Sequence, residues 1–490
     1  MTTVNKSEPL KWFRYEKKKE TEVSSSIIET LTQSLGTEKV LTDAANLNER
    51  RHDYWVVSHL NNVHETPTPP PACVARPAST EDVVAILNAC TATGTPVIPF
   101  GLGSGVCGGV VASSESVMLD LSGMTQTHSI DETNLLATFD AGKNGMEAEE
   151  EVQKLGLTIG HWPQSIAVSS VGGWIATRAS GQFSTGYGNI EDIVHSYEVV
   201  LPNGQILQVG KSPRAAAGPD LRHLFMGSEG TLGVITRVTF KLRRLPETIL
   251  HTAFYADNMA QGIDAQRVII QSGYTPVVMR QYDTTECQRV FPEQAKDDKV
   301  IFFCIHEGPK AMVEAEVAGV KDIAATAGLE PAPVELVEQW FSHRNTVPSW
   351  ESFLSNGIVL DTIEISSAWD TIDAIYDEAT ASLKEVPGVL AASAHSSHVY
   401  RNGINLYFTF AARPENKEDM ESTYFECWKR VLETTAKHGG GIAHHHGIGR
   451  VRKDYLHHDL GETGVQALRD LKRTFDPDGI MNPGVQIPDA

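Results

Sequence analysis

The chain has 490 residues, 41 % hydrophobic and 21 % charged, which leaves room for roughly two to four domains and excludes a wholly disordered or fibrous protein. Its formal net charge of −21 opposes phosphate backbones and anionic lipid, so nucleic-acid and membrane-surface binding are excluded as first readings, although a local basic pocket can still hold an anionic cofactor or substrate. The six cysteines are scattered with no C-x-x-C pair, which argues against a zinc ribbon or disulfide scaffold and for reduced thiols.

Residues 1–68 read as a charged, partly helical lead-in. Glu16, Lys17, Lys18, Lys19 and Glu20 precede any apolar stretch, the wrong order for a secretory signal, and Ile27, Ile28, Leu31 and Leu35 follow at helical spacing. Pro67 to Pro71, with one Thr, form an extended linker. Ser79-Thr80-Glu81-Asp82 then opens a helix carrying Val83, Val84, Ile86 and Leu87. Pro96–Phe100, Val117–Leu121 and Asn134–Phe139 read as strands, and Met146–Leu155 as a helix. A second domain, 246–430, begins after Leu245-Pro246; Val300–Ile305 and Ile404–Phe410 are strand-like, Ala311–Ala325 and Trp369–Leu383 helical, which suits an antiparallel sheet with flanking helices. The tail, 431–490, is helical around Gly439-Gly440-Gly441 and a histidine run. No run approaches the ~18 apolar residues of a membrane span, and Ile487-Pro488-Asp489-Ala490 is no retention tail, so a cytoplasmic location is expected.

Three small-residue loops stand out within 69–245. Pro99-Phe100-Gly101-Leu102-Gly103-Ser104-Gly105 follows a strand, and its glycines let backbone N–H groups approach a pyrophosphate. The G-x-G-x-G spacing and the strand-like segment behind it argue against a Rossmann loop, which needs a helix there. Ser169 to Gly181 and Ser228 to Ile235 add two further loops of the same kind, a pattern that suits a large dinucleotide held by several loops.

The strings VGGWIATRASG (Val171–Gly181), YGNIEDIV (Tyr187–Val194), GPDLRHLFMGSEGTLGVIT (Gly218–Thr236) and AHHHGIGRVRK (Ala443–Lys453) resemble the vanillyl-alcohol-oxidase and p-cresol-methylhydroxylase (PCMH) type flavoenzymes, most closely the alkyldihydroxyacetonephosphate synthases. The resemblance implies an α+β fold with a PCMH-type FAD-binding domain at 69–245, a substrate (cap) domain with an antiparallel sheet at 246–430, and a C-terminal segment holding a histidine-rich active-site loop. It implies FAD contacts at Pro99, Gly101, Gly103, Ser104 and Gly105, at Gln164, Ser169, Ser170, Gly172 and Gly173, at Thr177, Arg178 and Ser180, and at Glu229, Gly230, Gly233 and Val234. Cys107 is the only nucleophile in the first loop and the synthases hold their flavin non-covalently, so a dissociable FAD is expected.

His444, His445 and His446 invite a metal reading, yet in an extended segment only His444 and His446 share a face, and two ligands make a poor site. Metal-dependent relatives carry H-x-x-x-x-N-x-H and E-H-G-I-G; here His398 to Asn405 has a longer gap, Tyr407 stands for the second histidine and His445 for the glutamate, so no catalytic metal is expected. The resemblance makes Tyr407 the base, working with His444, His445 and His446, and Arg280 both a catalytic and an anion-binding group, with His395, His398 and Arg450 as further substrate contacts. The synthases' second arginine is absent; His395 or Arg401 is its candidate replacement.

Two reactions fit. One exchanges acyl for alkoxy on acyl-dihydroxyacetone phosphate with no net redox change, as in ether-lipid synthesis; the other is an FAD-linked dehydrogenase or oxidase of an alcohol or 2-hydroxy acid. A non-catalytic flavoprotein is the third class, disfavoured by the retained Arg280, Tyr407, His445 and Arg450. The expected partner is a small-molecule or lipid-like substrate, with a homodimer left open.

Overall fold

The structure, a computed structural model, describes residues 23–488; Glu16 to Glu20 of the lead-in and the last two residues of the tail lie outside the described residues. Helix Val23–Leu35 and helix Thr80–Thr93, the latter capped by the Ser79 hydroxyl accepting the Asp82 N–H at 3.2 Å, pack together on a four-stranded sheet. Its strands run Val40–Leu41, Cys73–Ala75, Val117–Asp120, Val97–Phe100, the last three parallel. The lead-in is thus part of this layer, because Val40 pairs with Ala75 and Ile27 and Leu31 are buried against the helix. The tail returns to the same sheet, where Met481 bridges Val97.

A second, antiparallel sheet takes Thr127–Asp131, Leu136–Asp140, Val234–Lys241, Val194–Val200 and Ile206–Val209 in that order, around Phe139, Trp174 and Phe240. The cap is an eight-stranded antiparallel sheet: Glu330–Pro331, Thr248–Ala256, Val300–Gly308, Val278–Tyr282, Val389–Ser396, Gly403–Ala412 and Val359–Ala368 in spatial order, with Val399–Tyr400 paired onto Gly403–Ala412. Alternation decides what each face carries. Ile363, Ile365, Leu406, Phe408 and Phe410 are buried in one core with residues of helices Ile372–Lys384 and Met420–Lys437. Glu364 and Tyr407, between them in sequence, face the other way. The helix expected from residue 431 begins earlier, at Met420, because Met420, Tyr424 and Trp428 extend its buried stripe. The expected α+β architecture is what the chain adopts. Among the described residues no helix is long and apolar enough to cross a membrane.

Two buried carboxylates fasten the loops where the layers meet. Asp53 donates its N–H to Val110 O and accepts the Val110 N–H at 3.1 Å, closing the loop that holds Gly101 to Gly105. Glu229 accepts the N–H groups of Ile448 (3.1 Å) and Gly449 (3.0 Å). Burial raises both carboxyls to about 7, against the pull of those N–H donors. A carboxyl raised in the folded state contributes stability that is lost as pH climbs from the unfolded value of about 4.3 to about 7. Glu229→Gln is therefore expected to be less stable than wild type at pH 5, with the deficit shrinking toward pH 7.5; denaturant melts across that range check it, and a deficit that widens with pH contradicts it.

Candidate functional site

The site grows from one row of the cap sheet. Glu364 lies opposite Tyr407, Tyr407 opposite His395, and His395 opposite Tyr282, so all four side chains leave the same face. Arg280, two residues before Tyr282, joins them. The His395 ring stacks on Tyr407, with centroids 4.7 Å apart and planes 12° from parallel, and on Tyr282 at 5.2 Å.

Glu364 is fully buried and organises the histidine run. One oxygen accepts the N–H groups of His444 (3.3 Å), His445 (3.2 Å) and His446 (2.9 Å); the other meets the Arg452 guanidinium and lies 2.9 Å from His446 Nδ1. Arg452, itself fully buried, also donates to Glu364 O (3.1 Å) and Gly447 O (2.6 Å) and sits 4.9 Å from the Trp428 ring centroid. Burial alone would raise the Glu364 carboxyl, but Arg452 and His446 hold it well below the usual carboxylate range. The run turns back through Gly449, where φ is +54° and a Cβ would stand 2.0 Å from Cys107 O; only glycine fits.

The convergent N–H groups send the three rings apart. His446 returns to Glu364, while His445 and His444 form a chain: Tyr407 hydroxyl to His445 Nε2, His445 Nδ1 to His444 Nδ1 at 2.7 Å, and His444 Nε2 to the Tyr400 hydroxyl at 2.6 Å. The expected pairing of His444 with His446 on one face is therefore replaced by His444 with His445, because the segment is curled rather than extended. Burial pushes His444 down to about 4 and His445 and His398 well below the usual imidazole value, so these rings are neutral. Burial, with Glu364 nearby, raises the Tyr407 phenol, which is protonated at rest. Nitrogens of His398, His444 and His445 lie within 4.8 Å of one another. Most already hold hydrogen bonds: His398 Nδ1 lies 2.6 Å from Ser184 Oγ and 3.1 Å from Ser180 Oγ.

His395 occupies the place next to Arg280, whose Nη2 donates to His395 Nε2 at 2.9 Å, while Arg401 is exposed at a turn with its carbonyl taken by Gln271 and Trp369. His395 Nδ1 donates to Glu286 at 2.7 Å. Burial would raise the Glu286 carboxyl, yet His395, Arg289 and Thr409 bring it down to about 2; burial and Arg280 keep the imidazole below its usual value. Sequence reasoning missed Glu286, Glu364, Arg452 and Arg344. Arg344 ends helix Glu335–His343 with its guanidinium 5.0 Å from the Trp162 centroid, 5.2 Å from Phe183, 5.8 Å from Trp340 and 5.5 Å from Phe341. Arg280 lies 5.7 Å from the same Trp340 ring. The polar partners of these guanidiniums are Tyr282, His395 and Gln182, and among the described residues neither is in a salt bridge.

The first-domain residues fall into two groups. The loop after Pro99 offers an anion cradle: among the described residues the N–H groups of Leu102, Gly103, Ser104 and Gly105 donate to no other residue, and a Cβ at Gly101 would stand 2.3 Å from Ser170 Oγ. Ser170 caps the helix Val171–Ala176 through Gly173 N, Gly172 packs on Ala141, Gly230 on Pro99 and Gly233 on Val199, and Val234 opens a buried strand. These glycines allow close packing of the loops on one another. Other side chains go elsewhere. Gln164 Nε2 donates to Thr346 O at 2.6 Å, Ser169 accepts Trp174 Nε1, Thr177 donates to Gly173 O, and Arg178 pairs with Glu191. Ser180 reaches His398 and Asn189, Glu229 holds the histidine loop, and Arg450 donates to Pro483 O and Gly484 O, bracing the tail rather than turning to Arg280.

Removing the negative end of the Glu364–Arg452 pair leaves a buried unpaired guanidinium, worth about 3–5 kcal/mol of stability. Glu364→Gln is expected to show that loss in denaturant melts and to lose turnover with it, whereas an unchanged melt would show that the loop is held otherwise.

Two family models match: FAD binding domain over residues 71–210, and FAD linked oxidases, C-terminal domain, over 245–485. The chain is 34 % identical over 482 residues (95 % of this chain, 98 % of the relative) to the Escherichia coli K12 uncharacterized FAD-linked oxidoreductase YgcU. It is 30 % identical to the alkyldihydroxyacetonephosphate synthase of Dictyostelium discoideum (85 % and 73 %) and 29 % identical to glycolate oxidase subunit GlcD of Bacillus subtilis (84 % and 88 %). Among solved structures, an alkyldihydroxyacetonephosphate synthase superimposes with a TM-score of 0.79 at 25 % identity, covering 94 % of this chain and 85 % of the other. p-Cresol methylhydroxylase shares the fold at 0.76 and 17 % identity, covering 95 % and 97 %. The anion cradle, the cap sheet and these matches together make the chain a member of the FAD-linked oxidoreductase family with the PCMH-type two-domain fold.

Proposed function

We propose that the protein oxidises an alcohol carrying an anionic group, a carboxylate or a phosphate, next to the reacting carbon, with FAD bound at the first-domain loops. The observation that carries this reading is the pair of half-buried guanidiniums, Arg280 and Arg344, sharing the Trp340 ring with neither in a salt bridge among the described residues, Arg280 being joined through His395 to the Tyr407–His445 pair. A guanidinium left unpaired in a cleft suits an anion in bidentate geometry. FAD, when bound, supplies the two-electron acceptor. Tyr407 takes the hydroxyl proton of the substrate while passing its own to His445, so a phenol that burial keeps protonated still serves as the base. The likeness to an FAD-linked oxidoreductase and to a glycolate oxidase subunit supports the same class of reaction.

A dissociable FAD fits the position of Cys107, which is buried with its Sγ 3.4 Å from Arg452 Nη1 and its thiol raised by burial, unlike a group that attaches a flavin. A relay rather than a metal fits the histidines, because His444 Nδ1 and His445 Nδ1 stand 2.7 Å apart in hydrogen-bond contact. The tyrosine and histidine run shared with the synthases favours one alternative, alkoxy-for-acyl exchange.

Anaerobic mixing of the yellow protein with a panel of hydroxy acids and phosphorylated alcohols is expected to bleach the flavin; ether formation from acyl-dihydroxyacetone phosphate and a long-chain alcohol, without bleaching by the panel, would select the exchange reaction instead. Tyr407→Phe should slow bleaching about 10²–10⁴-fold with flavin retained, and Arg344→Met should raise KM for anionic substrates. Unchanged kinetics in either variant remove that residue from its role. Chelation is expected to leave the rate unaltered, and acid precipitation to release the flavin.

A further inference from the structure

We propose that Tyr400 is the outlet of a proton wire that begins at Tyr407, with Asn189 as the group that lets the wire turn round. The inference rests on the base role of Tyr407 proposed above and extends it across the domain border. The four groups Tyr407, His445, His444 and Tyr400 are joined by three consecutive hydrogen bonds, and every link between ionisable groups is oxygen-to-nitrogen or nitrogen-to-nitrogen. Each imidazole uses one nitrogen toward each neighbour, so a neutral ring has one N–H to give and one lone pair to receive with.

In the resting direction, the Tyr407 hydroxyl donates to His445 Nε2, His445 Nδ1–H donates to His444 Nδ1, His444 Nε2–H donates to the Tyr400 oxygen, and the Tyr400 hydroxyl donates outward. When the substrate hydroxyl gives its proton to the Tyr407 oxygen, each O–H or N–H bond along the chain breaks and re-forms one group further on. The last proton leaves Tyr400 for solvent water. No electrons move in this step and each of the four groups of the wire ends as neutral as it began; the substrate oxygen is left as an alkoxide and the water that takes the last proton carries the balancing positive charge. The chain then points the other way, with Tyr400 donating to His444 Nε2.

Asn189 is suited to both directions. Its Oδ1 and Nδ2 both lie 3.2 Å from the Tyr400 hydroxyl, so the amide accepts from the phenol before transfer and donates to it afterwards. Oδ1 is also steadied by the Ser180 hydroxyl at 2.5 Å. Tyr400 is the half-buried far end of the chain, and the proposal places the proton's exit to solvent there. Asn189 begins the helix Ile190–Ile193 and shares a capping box with Asp192, so an aspartate there keeps the cap while removing the donor.

Tyr400→Phe cuts the wire three links away from Tyr407, and Asn189→Asp fixes its end as an acceptor. Stopped-flow bleaching in H₂O/D₂O mixtures is expected to show a curved, many-proton dependence in wild type. Both variants should slow at least about 10-fold, with Tyr400→Phe giving a linear, single-proton dependence while the bound-flavin spectrum stays that of wild type. Wild-type rates and curvature in Tyr400→Phe would overturn the wire. Should no alcohol bleach the wild-type flavin, ¹⁵N-histidine spectra decide independently. Tyr400→Phe is expected to change which nitrogen of His445 carries the proton, although His445 is bonded to His444 and Tyr407 and not to Tyr400. An unchanged His445 tautomer overturns the wire and leaves the proposed oxidation untouched.

Discussion

The buried pair Glu364 and Arg452 is the constraint on which the site depends. Taking both charges out of water is costly unless every remaining donor and acceptor is met. Glu364 meets that demand by collecting the N–H groups of three consecutive residues, and Arg452 meets most of it by reaching Glu364 O and Gly447 O, with its Nε left without a hydrogen-bond partner. Three adjacent N–H groups can converge on one oxygen only if the backbone curls, and a curled backbone fans its side chains outward. The three histidines therefore have three separate partners, Tyr400, Tyr407 and Glu364 itself. The same carboxylate that fixes the loop thus fixes which imidazole meets which phenol.

That pairing also decides the electrostatics of the cleft. Glu364 is answered by Arg452, and Glu286 by His395, Arg289 and Thr409, so the deep acids have their charge met inside the protein. The imidazoles are surrounded by one another and by burial, and stay neutral. What is left over is positive: Arg280 and Arg344, each against aromatic rings and, among the described residues, in no salt bridge, with Glu307 the carboxylate whose field reaches Arg344. A chain of net charge −21 can in this way still present a local positive field, because at a few ångströms a guanidinium outweighs a screened surface field.

Much of this was legible in the sequence, and the gaps have physical reasons. Helix starts such as Ser79 and strands such as Ile404–Phe410 follow from capping chemistry and apolar runs. Tyr407, His445 and Arg280 came from motif resemblance, and the fold brings them to one face. Glu364 left a readable trace, an acid between Ile363 and Ile365 in an alternating strand, which marks a charge that must find a partner inside. Arg452 left none: Arg450 and Arg452 are two apart in the same basic string, and only the fold sends one to Glu364 and the other to Pro483 and Gly484. Arg344 sits at a polar helix end that reads as solvent-facing until Trp162 and Phe183 arrive from the first domain. Gln164, Ser180 and Glu229 lie within the motifs that resemblance assigned to the flavin, yet their side chains serve the join between domains, a use that local sequence does not encode.

The join between domains is itself part of the chemistry. Glu229 from the first domain holds Ile448 and Gly449, just past the histidines; Gln182 and Arg344 exchange hydrogen bonds, Nη1 to Oε1 at 2.9 Å and Nε2 to the backbone carbonyl at 3.0 Å; Asn189 reaches Tyr400. Each contact touches a different part of the site: the histidine loop, the Arg344 guanidinium, the end of the hydrogen-bonded chain. A small rotation between the domains would therefore disturb all three together, because packed interfaces yield in discrete steps rather than stretch. The arrangement of these side chains is consequently a property of both domains, and neither the loop of Gly101 to Gly105 nor the cap sheet carries it alone.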